Sequence, residues 1–349
     1  MALTRTPIFP ALVAAGAEFG EEAGWIVPMQ FGSVEEEVRV IRQEAGLIDL
    51  GRSAVLTLVG PDARRFSNGM FTNNTRALAP GGRNRSAMTD EKGRMQGMLD
   101  VWCIEPEHFM VVLDGVTAEA FVERYGKFII FDDVELTDCS QERTVLALAG
   151  PNAAAILVAA GLPAPAAGCA VAGEFFVARK ERFGGGGYDV VAPVAEAVTL
   201  WEALRGAGAR VVGFSAQEAT RIAAGRVRWP VDMGERALVH EMRLVEECCS
   251  FDKGCYIGQE VINRIDVMGQ VAKKIWGLTM REDAIPPLEA EVRLGADVVG
   301  VARSGARVGG VTRVLAVLRK PAWHPGLEVE VHAAGRSVGA VVSDLPFSA

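Results

Sequence analysis

Lys253-Gly254-Cys255-Tyr256-Ile257-Gly258-Gln259-Glu260, followed by Val261-Ile262-Asn263-Arg264, is the stretch on which the reading of this chain turns. It sets one thiol between two glycines, with a cation two positions before it and an amide and a carboxylate behind it. A cysteine is nucleophilic only as the thiolate, and nearby Lys or Arg favours that form, so Lys253 and Arg264 make Cys255 a candidate reactive residue. Gly254 and Gly258 allow backbone angles closed to other residues and let a ligand or a second segment come close. The competing reading is a buried cysteine packed as a small hydrophobe in a tight turn. Beyond Gly258, apolar residues at 261, 262 and 265 suit a short strand or a helical turn, and periodicity leaves both open.

Working outward, two segments echo each other, Thr57-Leu58-Val59-Gly60-Pro61-Asp62-Ala63 and Ala147-Leu148-Ala149-Gly150-Pro151-Asn152-Ala153. Each reads as an apolar strand, a Gly-Pro break and a helix whose first turn holds the proline. Ser33 with Glu36 predicts a capped helix through Ala45, and Ser215 with Glu218 one through Ala224. A third amphipathic helix is expected from Pro193 to Arg205, with Val194, Val198, Trp201 and Leu204 on its apolar face. Strands are expected at 54–59, 101–104, 109–113, 144–148, 175–178 and 188–192. Strands and helices alternate without a βαβ rhythm, which favours an α+β fold. After Trp276, Val-rich runs at 298–301, 309–318, 328–331 and 338–342 have the pattern of a small antiparallel barrel.

The 349 residues suggest two or three domains, and the net charge of −8 argues against general affinity for nucleic acid or anionic membrane. Arg83-Asn84-Arg85 is a local basic patch read as a solvated loop. No apolar run is long enough to span a bilayer, and Met1 to Pro7 lack the order of a signal peptide, so a soluble, cytoplasmic protein is expected. Six cysteines without a Cys-x-x-Cys pair argue against a disulfide framework, and four scattered histidines give no support to a metal site. The adjacent Cys248 and Cys249 are expected reduced, on a strand or turn. No Gly-x-Gly-x-x-Gly strand turn is present, so a flavin-linked oxidase reading would need its flavin on a separate chain.

The octapeptide with Arg264 resembles the signature of the YgfZ family of folate-binding proteins, relatives of the glycine-cleavage T protein (GcvT, an aminomethyltransferase). Gly24-Trp25, Gly32-Ser33-Val34-Glu35-Glu36-Glu37, Ala45-Gly46-Leu47-Ile48-Asp49-Leu50, Gly60-Pro61-Asp62-Ala63, Phe71-Thr72-Asn73-Asn74, Gly150-Pro151-Asn152-Ala153 and Arg221-Ile222-Ala223-Ala224-Gly225 follow in the order of a T protein. The resemblance covers most of residues 20–275. It implies three subdomains in a ring around a central folate cavity, with residues 1–50 plus 140–245 and residues 51–139 as T-protein-like subdomains. Residues 246–275 would be the signature segment and linker, and 276–349 the C-terminal β-barrel.

What the resemblance implies about the site is specific. Asp189, after Gly184 to Gly187, matches the carboxylate that grips a pterin edge by two hydrogen bonds. Arg221 matches an arginine near the folate, suited to the glutamate tail's carboxylates. Tyr188, with Trp25 and Trp102, is a stacking candidate, and Asn73 and Arg264 complete the expected folate set. T proteins carry an Asp-Asp pair after a Gly-rich turn, and aligning Gly93 puts Gly97 and Met98 there. Asp100 comes late, and an odd shift on a strand turns a side chain to the other face unless a bulge intervenes. The expectation is a tetrahydrofolate-binding, YgfZ-like protein that supports assembly or repair of iron-sulfur enzymes, with Cys255 as its critical residue and iron-sulfur clients as partners. The alternative is a folate-dependent aminomethyl- or methyltransferase with Asp100 as its acid.

Overall fold

The computed structural model describes residues 3–234 and 236–347; Met1, Ala2, Glu235, Ser348 and Ala349, including the start of the N-terminal segment read above, lie outside the described residues. The chain forms two compact units, Met1–Thr89, Gln96–Gln217 and Glu247–Ile257 in the first, and Asp90–Met95, Glu218–Glu246 and Gly258–Ala349 in the second.

In the first unit, beside a small sheet of Thr4–Arg5, Trp25–Gln30 and Glu18–Glu22, the alternating apolar segments pair into two larger sheets. One has six strands in the order Cys169–Ala172, Phe175–Arg179, Gly187–Pro193, Arg143–Ala149, Gly46–Asp49 and Arg210–Val211, antiparallel except for its last pair. The other has five, in the order Arg83–Thr89, Met95–Glu105, His108–Leu113, Ala54–Val59 and Glu135–Asp138. Side chains alternate between faces along a strand, and the two sheets use this to share a core. Val55, Trp102, Met110 and Val112 of the second pack with Ile48, Val145, Ala147, Ala178 and Val191 of the first. The opposite face of the six-stranded sheet, with Leu146, Leu148, Val177 and Val190, is covered by Leu157, Trp201 and Leu204 from helices. Asp189 has the parity of Val191, so its carboxylate enters the space between the sheets.

The echoed segments are both strand, glycine, helix. Gly60 and Gly150 have φ of +136° and +123°, and an added Cβ would lie 2.4 Å from the Asp133 carbonyl oxygen or 2.5 Å from that of Glu44. Only glycine fits such a turn. The helices begin at Ala63 and Ala153, so Pro61 and Pro151 precede them and do not occupy the first turn.

Several local expectations are corrected. The helix Val34–Gln43 starts as predicted, with Ser33 Oγ accepting from Glu36 N, but ends before Ala45. The helix Phe214–Ala223 begins before Ser215, because Gly213 supplies the first turn: its carbonyl accepts from Gln217 N, and its N–H donates to Glu37 Oε2. In the helix Ala197–Gly206 the buried face is Ala197, Leu200, Trp201 and Leu204, while Val198 faces solvent. Arg83 to Arg85 lie on a strand with paired side chains. Cys248 ends the short helix Val245–Cys248, and Gln259–Met268 resolves as a helix.

In the second unit a closed barrel runs Lys273–Met280, Val311–Arg319, Asp297–Val308, Glu291–Leu294, Glu328–Ala333, Arg336–Ser343, with all its pairs antiparallel. Closure removes the unpaired edges that open sheets expose. Gly309 and Gly310 form the turn before Val311 and are not part of that strand. Two strands escape the Val-rich pattern: Lys273–Met280 opens on two lysines, and Glu291–Leu294 alternates charged with apolar residues. Among the described residues no helix is long and apolar enough to cross a membrane.

Candidate functional site

The space between the two sheets holds six charges. Lys180 Nζ stands 2.6 Å from Asp100, 3.2 Å from Asp189 and 3.3 Å from Asp114. Arg182 closes a fork on Asp189, Nε donating at 2.8 Å and Nη2 at 2.6 Å, and reaches Asp114 with Nη1 at 3.0 Å. Arg83 pairs with Asp100, and Ser53 Oγ donates to Asp114. Three carboxylates thus meet three cations, which is what lets charge persist away from water. Asp100 arrives on Met95–Glu105 and Asp189 on Gly187–Pro193, so the structure brings both predicted carboxylates to one lysine.

This setting decides what Asp100 can do. Burial alone would raise its pKa, but Arg83, Lys180 and Arg85 outweigh that and hold the carboxyl well below the usual range. Asp114 is likewise held low against burial by Arg182 and Lys180. Neither carries a proton to donate near neutral pH. At Gly97 an added Cβ would meet Val116 Cγ2 at 2.4 Å and Met88 Sδ at 3.1 Å, so no carboxylate fits there.

Cys255 occupies a second place in the same unit. It is exposed, while Cys103, Cys139, Cys169 and Cys248 are buried and Cys249 half-buried. Its side of the molecule opens on a cleft of about 300 Å³ walled by Phe66, Met70 and Phe128 with Arg65, Arg76 and Asp132. The motif pairs Lys253 with this thiol, but its amino group is used elsewhere. Its Nζ donates to the carbonyls of Phe71 at 2.5 Å and Asn73 at 2.8 Å, and it sits 4.8 Å from the centre of the Tyr256 ring. Burial pushes the Lys253 pKa down to about 7, with Cys249 opposing. Lys253 therefore pins the signature segment to residues 71–73.

The remaining predicted residues take structural parts. Tyr188 is buried in the helix-covered core, with the Arg179 guanidinium over its ring and donating to its hydroxyl. Trp102 is wholly buried between the sheets. The Asn73 amide donates to the carbonyls of Arg85 and Glu247. Arg221, in the second unit, is buried and shared among Asp232, Glu218, Ser304 and the Arg226 carbonyl, which leaves no open fork for a carboxylate tail. Arg264 is exposed on the helix Gln259–Met268. The sequence signalled neither Lys180 nor Arg182, since Lys180-Glu181-Arg182 before a glycine run reads as a solvated turn.

Residues 8–253 match the family model described as the GCVT N-terminal domain. The chain is 28% identical to an aminomethyltransferase of Rubrobacter xylanophilus, over 99% of this chain and 94% of that protein. It is 30% identical to one of Bordetella pertussis, over 99% and 96%. The crystal structure of the glycine cleavage system aminomethyltransferase T from Bartonella henselae superposes with a TM-score of 0.91 at 23% identity, covering 99% of this chain and 98% of that one, and shows the same fold.

Proposed function

The chain belongs to the GCVT N-terminal domain family, and from that membership we propose that it binds tetrahydrofolate or an N5-substituted folate. The observation that carries this reading is Asp189, a buried carboxylate after a four-glycine turn that accepts a fork of two N–H donors. A pterin ring offers the same donor pair.

Two chemistries are compatible with folate binding. The names of the relatives favour transfer of an aminomethyl group, and in that reading Asp100 would be the acid. The comparisons back this reading better than the other, but the local geometry argues against Asp100 as its acid. Position 97 has no room for a carboxylate, Asp100 is locked between cations, and the exposed, cleft-lining thiol is Cys255. We therefore propose a YgfZ-like protein that supports assembly or repair of iron-sulfur enzymes through Cys255, a reading supported by the likeness of the octapeptide. In it, residues 1–50 with 140–245, and 51–139, are the T-protein-like subdomains, 246–275 the signature segment and linker, and 276–349 the barrel.

One assay separates the two. A lipoyl carrier protein loaded with an aminomethyl group is mixed with tetrahydrofolate and this protein, and released ammonia is measured. The proposal expects no release above the protein-free control. Turnover that disappears in Asp100→Asn would establish the transferase reading instead.

A further inference from the structure

Asp189 is wholly buried, and Arg182 takes both of its oxygens. We infer that Arg182 is an internal stand-in for the donor pair of the ligand, and that it sets the affinity of this site for rings with an aminopyrimidinone edge; this rests on the folate reading above. A guanidinium and the amino-N–H edge of an aminopyrimidinone present the same feature, two parallel N–H groups on one N–C–N unit. One carboxylate edge accepts one such fork at a time, so Arg182 and the ring exclude each other.

The surroundings show how the exchange would run. Asp189 is 0% exposed, while the side chains of Arg182 and Asp114 are 14% and 28% exposed, so Arg182 forms the solvent side of the carboxylate it covers. On leaving, Arg182 keeps a partner, since Nη1 already lies 3.0 Å from Asp114. Asp189 keeps one too, because Lys180 Nζ is 3.2 Å away, and the buried charge is never stranded. Part of the loop that follows Arg182 is open to solvent. Gly184, Gly185 and Gly186 have φ of +84°, +86° and +95°, and an added Cβ at Gly184 or Gly185 would meet nothing within 4 Å. The loop is therefore open at Gly184 and Gly185, between the half-buried Phe183 and the buried Gly186, whose carbonyl accepts from Gly150 N. A ligand that binds only when Arg182 is displaced shows an apparent affinity reduced by the displaced fraction.

The test is calorimetric titration of the full chain and of Arg182→Ala with tetrahydrofolate and with 2-aminopyrimidin-4-one. Arg182→Ala should bind both about tenfold more tightly or better, as expected when a competitor engaged in most molecules is removed. Millimolar guanidinium chloride, against equal sodium chloride, should weaken binding to Arg182→Ala by refilling the fork. A residue that merely supports the fold would give neither effect. Should Arg182→Ala fail to fold, Arg182→Lys keeps the charge, loses the fork and serves the same comparison. Tetrahydrofolate binding to the wild type with equal or weaker binding to the variant overturns the stand-in and leaves the folate reading intact. No binding to either protein overturns both.

Discussion

Cys255 and Cys248 differ in what surrounds the sulfur. Burial pushes the Cys248, Cys169 and Cys103 thiols upward, Cys169 to about 11, whereas Cys255 opens to solvent at its cleft. Alkylation requires both access and thiolate. Iodoacetamide near neutral pH should therefore label Cys255 ahead of the other five, read by peptide mass spectrometry; labelling of Cys103 at an equal or faster rate would remove the reactive-thiol idea. Lys253 gives a second prediction. Its pKa falls from 10.5 to about 7 on folding, so between those values the unfolded chain holds a proton that the folded one lacks. Stability then rises with pH across that window and has no slope from this group below it. Urea unfolding should show the difference between wild type and Lys253→Met growing in the wild type's favour from about pH 7 to about pH 10. A flat difference would contradict the buried, neutral lysine. At this scale Cys255, Asp100 and Asp189 were legible, because motif and position single them out. Lys180 and Arg182 were not, because Asp100 and Asp114, which they meet beside Asp189, come from the other sheet and no local pattern encodes that.

At the scale of elements, Glu37 joins two distant backbone segments. Its carboxylate accepts from Phe31 N at 2.7 Å, Gly32 N at 3.1 Å and Gly213 N at 2.7 Å, so a residue of one helix caps the start of another. Truncation leaves these donors unpaired, one of them in a buried contact, and Glu37→Ala should lose at least about 2 kcal/mol in denaturant unfolding. Glu37→Gln keeps one acceptor and should lose less; equal losses would mean that packing and not hydrogen bonding holds the junction. This long-range cap is also why Ser215 misleads as a helix start: a capping box is a local rule, and the acceptor here comes from far along the chain. Strand parity, a rule of two, survives better. Asp100 shares a face with Trp102, which packs between the sheets, while the side of Gly97 is filled by Val116 and Met88.

For the whole molecule, the α+β class and the antiparallel barrel were readable because alternation and turn residues recur along the chain. The strands at 273–280 and 291–294 were not, since the first opens on two adjacent lysines and the second alternates charged with apolar residues over only four positions. The same holds for chemistry. The octapeptide and the ordered family segments point to folate, but the state of the site depends on six charges drawn from two sheets. Binding of folate through Asp189 is the claim on which the rest stands. Calorimetric titration of the purified protein with tetrahydrofolate and its N5-substituted forms, beside an Asp189→Asn variant shown to melt as a folded protein, tests it directly. Saturable binding to the wild type that weakens by about tenfold or more in Asp189→Asn is predicted, as expected for loss of a charge-assisted fork; no heat with any folate, or unchanged affinity in the variant, would contradict it.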